Sequence, residues 1–318
     1  MHSDAIRAAA EILFPHFTSA RPVDWEKEFS CRRPLHIEIG FGDGEFLIRS
    51  VLSRPEACFI GIELDWGRIQ KCFRRIARLD MSQQQEIFSR LRILRADAWT
   101  VFERLVRPRM VRHIECLFPC PWPKDRHERH RLFSPEFLRL INSRLEDSGT
   151  LRVVTDHEPY ASWIREHAGG TGMVIDIGHV PAGFDTKFER KWRAGGQEVF
   201  SALRFKKGPH QDIPVVEDVI VKAYYHQHFD PEKFQLEKDV SAGVAVIPKE
   251  TVFDREQEKY AVRVVVSEPH LTQNVWIGIV MTRKGWCVLR MEGQQVLPTD
   301  GVARAIARVS EAVARTES

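Results

Sequence analysis

Short apolar runs recur along the first two thirds of the chain, separated by stretches whose apolar residues have helical spacing. Five runs have the length and composition of buried strands: Leu35–Ile39, Cys58–Ile62, Leu91–Arg95, His113–Phe118 and Thr150–Thr155. Amphipathic helices are predicted at residues 4–16, 45–52, 68–80 and 134–145. Strands that alternate with helices predict a doubly wound, mostly parallel α/β sheet, which binds ligands at the carboxyl ends of its strands.

The first predicted strand opens directly into a turn that contains Gly40, Gly42 and Gly44, and a helix pattern begins at Glu45. Such a turn lets a ligand approach the backbone, because a Cβ atom there would hold it away. The third glycine comes too early for the usual dinucleotide fingerprint. By itself, the turn is equally typical of a tight strand-to-helix connection.

Three acidic residues stand near the ends of predicted strands: Glu38, Glu63 and Asp97. A carboxylate after the second strand, such as Glu63, can accept both ribose hydroxyls of an adenosine ligand. The turn has no extra Lys or Arg for a pyrophosphate, so a nucleoside with a cationic tail, S-adenosylmethionine, fits better than a dinucleotide. Asp97 could accept from the adenine amine or cap a helix, and the sequence does not distinguish the two.

A proline-rich segment follows the fourth predicted strand, with Pro119, Pro121 and Pro123 at alternate positions. This spacing excludes a helix and a central strand, so it predicts a stiff loop at the carboxyl end of the sheet. Trp122 could provide a stacking surface. The cations and histidines after it are those expected of a site for splayed nucleotides: Lys124, Arg126, His127, Arg129, His130 and Arg131. The alternative is a plain connector with Trp122 packed inward.

Positive charge is concentrated in the first part of the chain. Residues 1–210 contain 34 Lys and Arg against 28 Asp and Glu, whereas residues 211–318 contain 13 against 16. Two clusters stand out, Arg68–Arg78 and Lys187–Lys207. In the first, the cations at positions 68, 71, 75 and 78 share one helix face, which indicates contact with RNA phosphate or a simple solvated surface.

The overall composition is that of a soluble globular protein, and 318 residues are enough for two domains. No apolar run has the length of a membrane span, and the start lacks the features of a signal peptide. Six scattered cysteines suit a reducing cytoplasm. The spacing of His113, Cys116, Cys120, His127 and His130 matches no common zinc pattern, so no metal is predicted.

Taken together, these motifs resemble the bacterial tRNA (guanine-N7-)-methyltransferase family. The similarity includes the glycine turn, the Pro-Trp-Pro-Lys loop, the Thr155-Asp156 strand end and a Thr-Lys-Phe-Glu run at Thr186–Glu189, and it covers about residues 30–207. The resemblance implies a class I methyltransferase (Rossmann-like) fold, a seven-stranded sheet with an antiparallel final strand near Val199–Phe205. It also implies S-adenosylmethionine as the methyl donor and guanine N7 in the tRNA variable loop as the acceptor.

The resemblance also assigns roles by position. The donor would be bound by Glu38, Gly40, Gly42, Gly44, Glu63 and Asp97. The tRNA substrate would be bound by Trp122, Lys124, Asp156, Thr186, Lys187, Phe188 and Glu189. Asp156 would also act in catalysis.

One position departs from the family pattern, since Cys120 stands where the family has an aspartate between two prolines. Guanine N7 has a free lone pair, so the reaction needs alignment and electrostatic help rather than proton removal. A thiol is a weak hydrogen-bond acceptor. Loss of one such electrostatic contact costs about 2.7–4 kcal/mol in barrier height, which predicts a slow enzyme rather than an inactive one.

The working hypothesis is that Asp156 and Glu189 supply the carboxylates that recognise the N1 and N2 protons of guanine. The alternative is a catalytically impaired tRNA-binding protein on the same scaffold. A third possibility is a methyltransferase that acts on another RNA.

Three regions are predicted: a helical lead-in at residues 1–30, the methyltransferase domain at 31–208 and an α+β domain at 209–318. A linker is expected at Gly208–Pro214. Apolar runs beyond it, a hairpin turn at Thr282–Gly285 and a closing helix at residues 299–315 predict an antiparallel sheet with one helix. The resemblance does not extend to this region, whose role and oligomeric contacts are left open.

Overall fold

The computed structural model describes residues 11–254, 256 and 259–316. The chain divides into two compact units at the junction of Val216 and Glu217. Most of the helix predicted at residues 4–16 lies outside the described residues. In its described part the helix ends by Ile12, and Leu13 forms a parallel bridge with Ile93.

A seven-stranded sheet forms the centre of the first unit. Its strands are β1 (Leu35–Ile39), β2 (Cys58–Ile62), β3 (Leu91–Leu94), β4 (Val111–Leu117), β5 (Leu145–Thr155), β6 (Met173–Pro181) and β7 (Val199–Lys207). Their order is β3-β2-β1-β4-β5-β7-β6, and only β7 runs antiparallel to its neighbours. The predicted class I methyltransferase sheet with an antiparallel last strand is therefore confirmed.

Helices connect these strands. They are α1 (Trp25–Glu28), α2 (Glu45–Ser53), α3 (Trp66–Ile76), α4 (Met81–Arg90), α5 (Ala98–Thr100), α6 (Pro135–Arg144), α7 (Glu158–His167) and α8 (Lys187–Ala194). A π-helical turn at Val101–Leu105 continues α5, and a 3-10 helix covers Asp125–His130. Asp65 caps α3 and Ser134 caps α6 by accepting from backbone N–H groups of the first turn.

Two predicted boundaries were wrong. The helix expected to reach Asp80 ends at Ile76, because Asp80 is instead the N-cap of α4. The strand predicted to begin at Thr150 begins earlier: β5 starts at Leu145, directly after α6, and its register against β4 shifts before Thr150. Gly149 is needed in this irregular stretch, since a Cβ there would lie 2.8 Å from the Glu146 carbonyl oxygen.

Apolar side chains cover both faces of the sheet. One cluster includes Ile37, Ile114 and Val153 from the central strands and Phe137 from α6, all at most 1% exposed. On the opposite face, α2, α3 and α4 bury a second cluster against β2 and β3, for example Leu47. Burial of each large apolar side chain contributes about 1.5–3 kcal/mol, so the sheet is a rigid support for the residues at its carboxyl edge.

The segment predicted as a linker, Gly208–Pro214, has no helix or strand but is bonded to the first unit. Asn142 Nδ2 donates to the Pro209 carbonyl oxygen at 3.2 Å, and Arg144 donates to the carbonyl oxygens of Ile213 and Pro214 at 2.6 and 3.1 Å. The first compact unit therefore extends beyond the predicted limit at residue 208.

The second unit contains a six-stranded antiparallel sheet and one helix. The strands are β8 (Tyr224–His226), β9 (Asp239–Ser241), β10 (Val244–Asp254), β11 (Lys259–Glu268), β12 (Leu271–Thr282) and β13 (Gly285–Arg290), in the order β8-β13-β12-β11-β10-β9. Helix α9 (Asp300–Ala314) packs its apolar stripe, which includes Val302 and Ile306, on the sheet. The predicted α+β architecture and its hairpin at Thr282–Gly285 are confirmed.

Candidate active site at the carboxyl ends of the strands

The turn between β1 and α2 depends on its glycines. Gly40, Gly42 and Gly44 all have positive φ angles, of 69°, 58° and 80°. At Gly44 a Cβ would lie 2.4 Å from Cys72 Sγ, so this residue lets the turn pack closely on α3. A Cβ at Gly40 would meet no atom within 4 Å, so its backbone borders open space on that side.

A cavity of about 760 Å³ lies at this edge of the sheet, within the first unit. Its walls include seven of the predicted site residues: Gly40, Glu63, Asp97, Cys120, Trp122, Asp156 and Phe188. A smaller recess of about 70 Å³ shares Gly40 and Phe188 with it. The recess adds four more predicted residues: Glu38, Gly42, Thr186 and Lys187.

Glu63 is buried at the cavity wall, and backbone N–H groups hold its carboxylate. Oε2 accepts from Gly42 N at 3.0 Å, and Oε1 accepts from Leu64 N and Asp65 N at 2.8 and 3.0 Å. Each carboxylate oxygen has two lone pairs, so the group retains capacity for a ligand hydroxyl. The backbone bonds fix its orientation at the end of β2.

Asp97 caps α5, with its side chain accepting from Trp99 N at 2.8 Å. One of the two interpretations left open by the sequence, the helix cap, is therefore present in the structure. Asp97 also lines the cavity, so the two roles are compatible. Its contact with the donor stays a prediction.

Glu38 lines the smaller recess rather than the main cavity. It lies opposite Glu115 of β4 in the sheet register and is only 5% exposed. Burial, and then the negative charge of Glu115, raise the pKa of the Glu38 carboxyl well above its usual value. This carboxyl therefore favours its protonated form more than a solvated glutamate does.

The proline-rich loop is folded against the cavity and held from the inside. Phe118 and Trp122, at either end of it, have φ angles of 55° and 44°, a strained conformation for large side chains. Arg131 Nε donates to the Pro121 carbonyl oxygen at 3.1 Å, and the guanidinium lies 5.0 Å from the centre of the Trp163 ring. Arg131, predicted among the RNA-binding cations, is instead a mostly buried support of the loop.

Cys120 and Trp122 present their side chains at the cavity wall. The Cys120 thiol is exposed. The Trp122 ring packs against His130, with ring centres 5.2 Å apart, and edge-on to His127 at 5.8 Å. The aromatic group of the loop is thus supported by two imidazoles while it lines the cavity.

Asp156 is half-buried at the end of β5 and lines the cavity. Its backbone carbonyl oxygen accepts from Gln197 Nε2. Among the described residues, its carboxylate has no hydrogen bond or ion pair. Asp156 therefore offers the cavity a carboxylate with unused acceptor capacity.

The Thr186–Glu189 run begins α8, and the structure gives it a structural role. Thr186 is the N-cap of α8, and its hydroxyl accepts from Glu189 N at 3.2 Å. The Glu189 side chain is fully buried, and its Oε1 accepts from Gly183 N and, at 3.1 Å, from Phe184 N. Glu189 does not line the cavity, and its bonds hold the loop before α8. Its predicted contact with guanine stays a prediction.

The predicted RNA-binding cations differ in their surroundings. Lys124 is exposed, does not line the cavity and precedes the 3-10 helix, and its contact with tRNA stays a prediction. Three of the cations predicted to share one face of this helix are paired with acids of neighbouring segments: Arg68 with Glu63 at 3.8 Å, Lys71 with Asp43 at 3.6 Å and Arg75 with Glu45 at 2.6 Å. These pairs dock α3 on the glycine turn, so they weaken the case for phosphate binding by this face.

Trp192 also lines the cavity, although the sequence did not indicate it as a site residue. It follows Phe188 by four residues on α8, so both aromatic side chains project from one helix face. The four-residue spacing was visible in the sequence, but α8 itself was not predicted. His157, which caps α7 through Nδ1, also lines the cavity.

The described residues contain no group of three or more His, Cys, Asp or Glu side chains arranged to hold a metal ion. Cys116 is buried in β4, and burial raises the pKa of its thiol well above the usual value. In the part of the chain that the structure describes, no helix is long and apolar enough to span a membrane.

A glycine turn after β1, an acid after β2 and a sheet with one antiparallel strand beside its edge together define a class I methyltransferase. The family model described as "Putative methyltransferase" matches residues 32–202. A tRNA (guanine-N(7)-)-methyltransferase of Chlorobium phaeobacteroides is 37% identical over 55% of this chain and 83% of its own. The chain therefore belongs to the tRNA (guanine-N(7)-)-methyltransferase family, as the sequence motifs predicted.

The similarity extends further along the chain than predicted. The tRNA (guanine-N(7)-)-methyltransferase of Thermotoga maritima is 27% identical over 94% of both chains, and that of Thermus thermophilus is 29% identical over 83% of this chain and 84% of its own. The expectation that the resemblance ends near residue 207 was therefore wrong, since these alignments include much of the second unit.

Proposed function

We propose that this chain transfers a methyl group from S-adenosylmethionine to guanine N7 in the variable loop of tRNA. The main support is that one cavity combines a fixed acid for a nucleoside, Glu63, with an uncommitted carboxylate, Asp156, and an aromatic wall, Trp122. The curated relatives named above carry this activity in their names. No comparison favours the alternative of an impaired binding protein.

The cavity suits the donor in size and chemistry. S-adenosylmethionine, when bound, supplies a methyl group on a sulfonium centre. Glu63 would accept the ribose hydroxyls, Asp97 would face the base, and the bare backbone at Gly40 would permit close approach. A volume of about 760 Å³ leaves room for a second, flipped-out base beside a nucleoside.

The guanine would be held by groups at the opposite wall. The Asp156 carboxylate would accept from the N1 and N2 protons, and Trp122 would stack on the base. Since N7 has an available lone pair, no side chain has to remove a proton before transfer. Catalysis then consists of aligning N7 with the methyl group and stabilising the charge that moves to the base.

Exposed cations on both sides of the cavity would bind the tRNA backbone. Lys124, Arg126 and Arg129 lie on the proline-loop side, and Lys187 and Arg193 lie on α8. None of the five has an ion pair with another described residue. Their distribution supports contact with phosphates flanking a flipped-out base, and a cytoplasmic location follows as a prediction from the substrate.

The test uses purified protein, unmodified tRNA transcript and labelled S-adenosylmethionine, followed by nucleoside analysis. We expect N7-methylguanosine from the natural protein and at least about a hundredfold less from Asp156→Ala, because a preorganised contact to the base is lost. Asp176→Ala is the matched control, since that carboxylate is exposed on β6 and outside the cavity. Binding of tRNA without transfer would favour the impaired protein, and another modified nucleoside would favour a different RNA target.

A further inference from the structure

An ionic cluster joins the donor-side turn to helix α8. Glu45 is the first residue of α2. Both of its carboxylate oxygens accept a hydrogen bond from Arg190 Nη2, at 2.8 and 2.9 Å. Arg75 of α3 lies 2.6 Å from the same carboxylate, whose side chain is only 12% exposed. One carboxylate therefore pairs with two guanidinium groups from different helices.

A second contact joins the same two segments one helical turn further along α2. Arg49 donates to the Phe184 carbonyl oxygen, and its guanidinium lies 3.5 Å from Asp185 Oδ2. Arg190 also donates to the Asp185 carbonyl oxygen at 2.7 Å. Helix α2 thus holds both the loop that precedes α8 and the middle of α8.

The held segment carries residues that line the site. Phe188 borders both the cavity and the recess, and Thr186 and Lys187 border the recess opposite Gly40 and Gly42. The distance between α8 and the glycine turn therefore sets the width of the cleft at that point.

Removal of the Glu45 charge would act on this distance in two ways. It would remove the attraction between Glu45 and Arg190, and it would leave the Arg75 guanidinium near Arg190, whose remaining acid partner is Asp185 at 3.0 Å. Both changes favour movement of α8 away from the turn. A surface ion pair between two mobile side chains would have little such effect.

We propose that Glu45 is a positioning residue for methyl transfer, which acts through Arg190 to hold α8 and Phe188 over the donor-binding turn. This inference rests on the proposed function, because α8 is assigned there to tRNA. Glu45 borders the smaller recess, but no contact with either substrate is assigned to it. Its effect should consequently appear in the use of tRNA rather than in donor binding alone.

The test is a double-mutant cycle with Glu45→Gln, Arg190→Gln and the double variant. Each single variant should raise the KM for tRNA by roughly threefold to tenfold, the range expected for loss of a charge-assisted hydrogen bond. The double variant should have a KM for tRNA no higher than that of the more impaired single variant, because both substitutions break the bond between Glu45 and Arg190. The Kd for S-adenosylhomocysteine, measured without tRNA, should stay within about twofold of the natural protein.

Arg75→Gln is the matched control, since it removes a guanidinium from the same carboxylate but leaves the bond to Arg190 in place. It should leave the KM for tRNA unchanged. Should Glu45→Gln not fold, Arg190→Gln tests the same bond from its half-exposed side.

Formation of N7-methylguanosine by the natural protein is measured first, and its absence would count against the proposed function. In an active protein, an unchanged KM for tRNA in the single variants would overturn the role of Glu45. Additive effects in the double variant, or equal weakening of S-adenosylhomocysteine binding, would overturn it as well.

Discussion

Cys120 faces the cavity from a loop whose two ends are strained at Phe118 and Trp122. The loop conformation does not depend on the thiol, because Arg131 holds the backbone at Pro121. A carboxylate could therefore replace the thiol with little change of the loop.

Cys120→Asp should raise the single-turnover rate of methyl transfer by about tenfold or more, because a negative charge would stabilise the positive charge that develops on the base. Cys120→Asn is the matched control, with similar shape and no charge. Rapid-quench measurement of N7-methylguanosine gives the rate. Equal rates for the Asp and Asn variants would mean that shape, not charge, matters at this position.

Several residue roles could be predicted from local sequence alone. The glycines of the turn were predicted from their spacing, and their positive φ angles agree with it. By contrast, the pairing of Arg75 with Glu45 joins residues of two helices, so it depends on tertiary proximity that a single helix face does not reveal. The Thr-x-x-Glu spacing of Thr186 and Glu189 is typical of a helix N-terminus and was visible in the sequence, but the resemblance to the family assigned these residues to the substrate.

At the scale of single elements, α8 is held from inside by Glu189 and from outside by α2. The inner bonds satisfy the N–H groups of Gly183 and Phe184, which are needed to turn the chain into the helix. A buried amide that loses its acceptor costs about 1–3 kcal/mol.

Glu189→Ala should therefore speed hydrogen exchange at the amides of Gly183 and Phe184 and lower methyl transfer at the same time. Glu189→Gln keeps one carbonyl oxygen as acceptor and should have a smaller effect on exchange. Exchange rates measured by mass spectrometry or NMR test both expectations. Lost activity with unchanged exchange would instead indicate direct contact between Glu189 and the substrate.

Among the elements, β1 and β2 were predicted with their observed limits, because each is a short, mostly apolar run that ends before a residue untypical of a strand interior, Gly40 or Glu63. Helix α4 was missed because its sequence is rich in Gln and Ile87 is its only buried apolar residue. Strand β6 was also missed. Its residues after Met173 are all exposed or only partly buried, and it lies at the edge of the sheet, where strand propensity is a weak guide.

For the molecule as a whole, two histidines of the first unit couple its stability to pH. Burial, followed by the charge of Arg21, lowers the pKa of His16 from 6.5 to about 4. Burial, followed by the neighbouring His113, lowers the pKa of His36 from 6.5 to about 4. In both cases the unfolded chain binds the proton more readily, so the stabilisation is complete above pH 6.5 and is lost as the pH falls toward 4.

We expect the free energy of unfolding of the first unit to fall between pH 7 and 5, by up to about 2 kcal/mol for buried His16 and less for half-buried His36. Glu38 acts in the opposite sense, since its raised pKa gives stability below pH 4.5 that is lost as the pH rises. Denaturant unfolding at several pH values tests this. A His16→Gln/His36→Gln variant should show a shallower dependence, and an unchanged slope would contradict the assignment.

The second unit shows how far whole-molecule organisation follows from sequence. Its antiparallel sheet and closing helix were predicted from alternating apolar residues. Its extent was not, because the bonds from α6 to the segment before Val216 join residues about seventy positions apart.

The three backbone amides around the Glu63 carboxylate have a consequence for the speed of recognition. Because backbone N–H groups already fix the orientation of the Glu63 carboxylate, it would lose little conformational entropy on binding a ribose. The entropic cost of donor binding at this residue should therefore be small. The association rate of the methyl donor should then be limited mainly by diffusion. Association of tRNA, which requires groups to become ordered, should be slower.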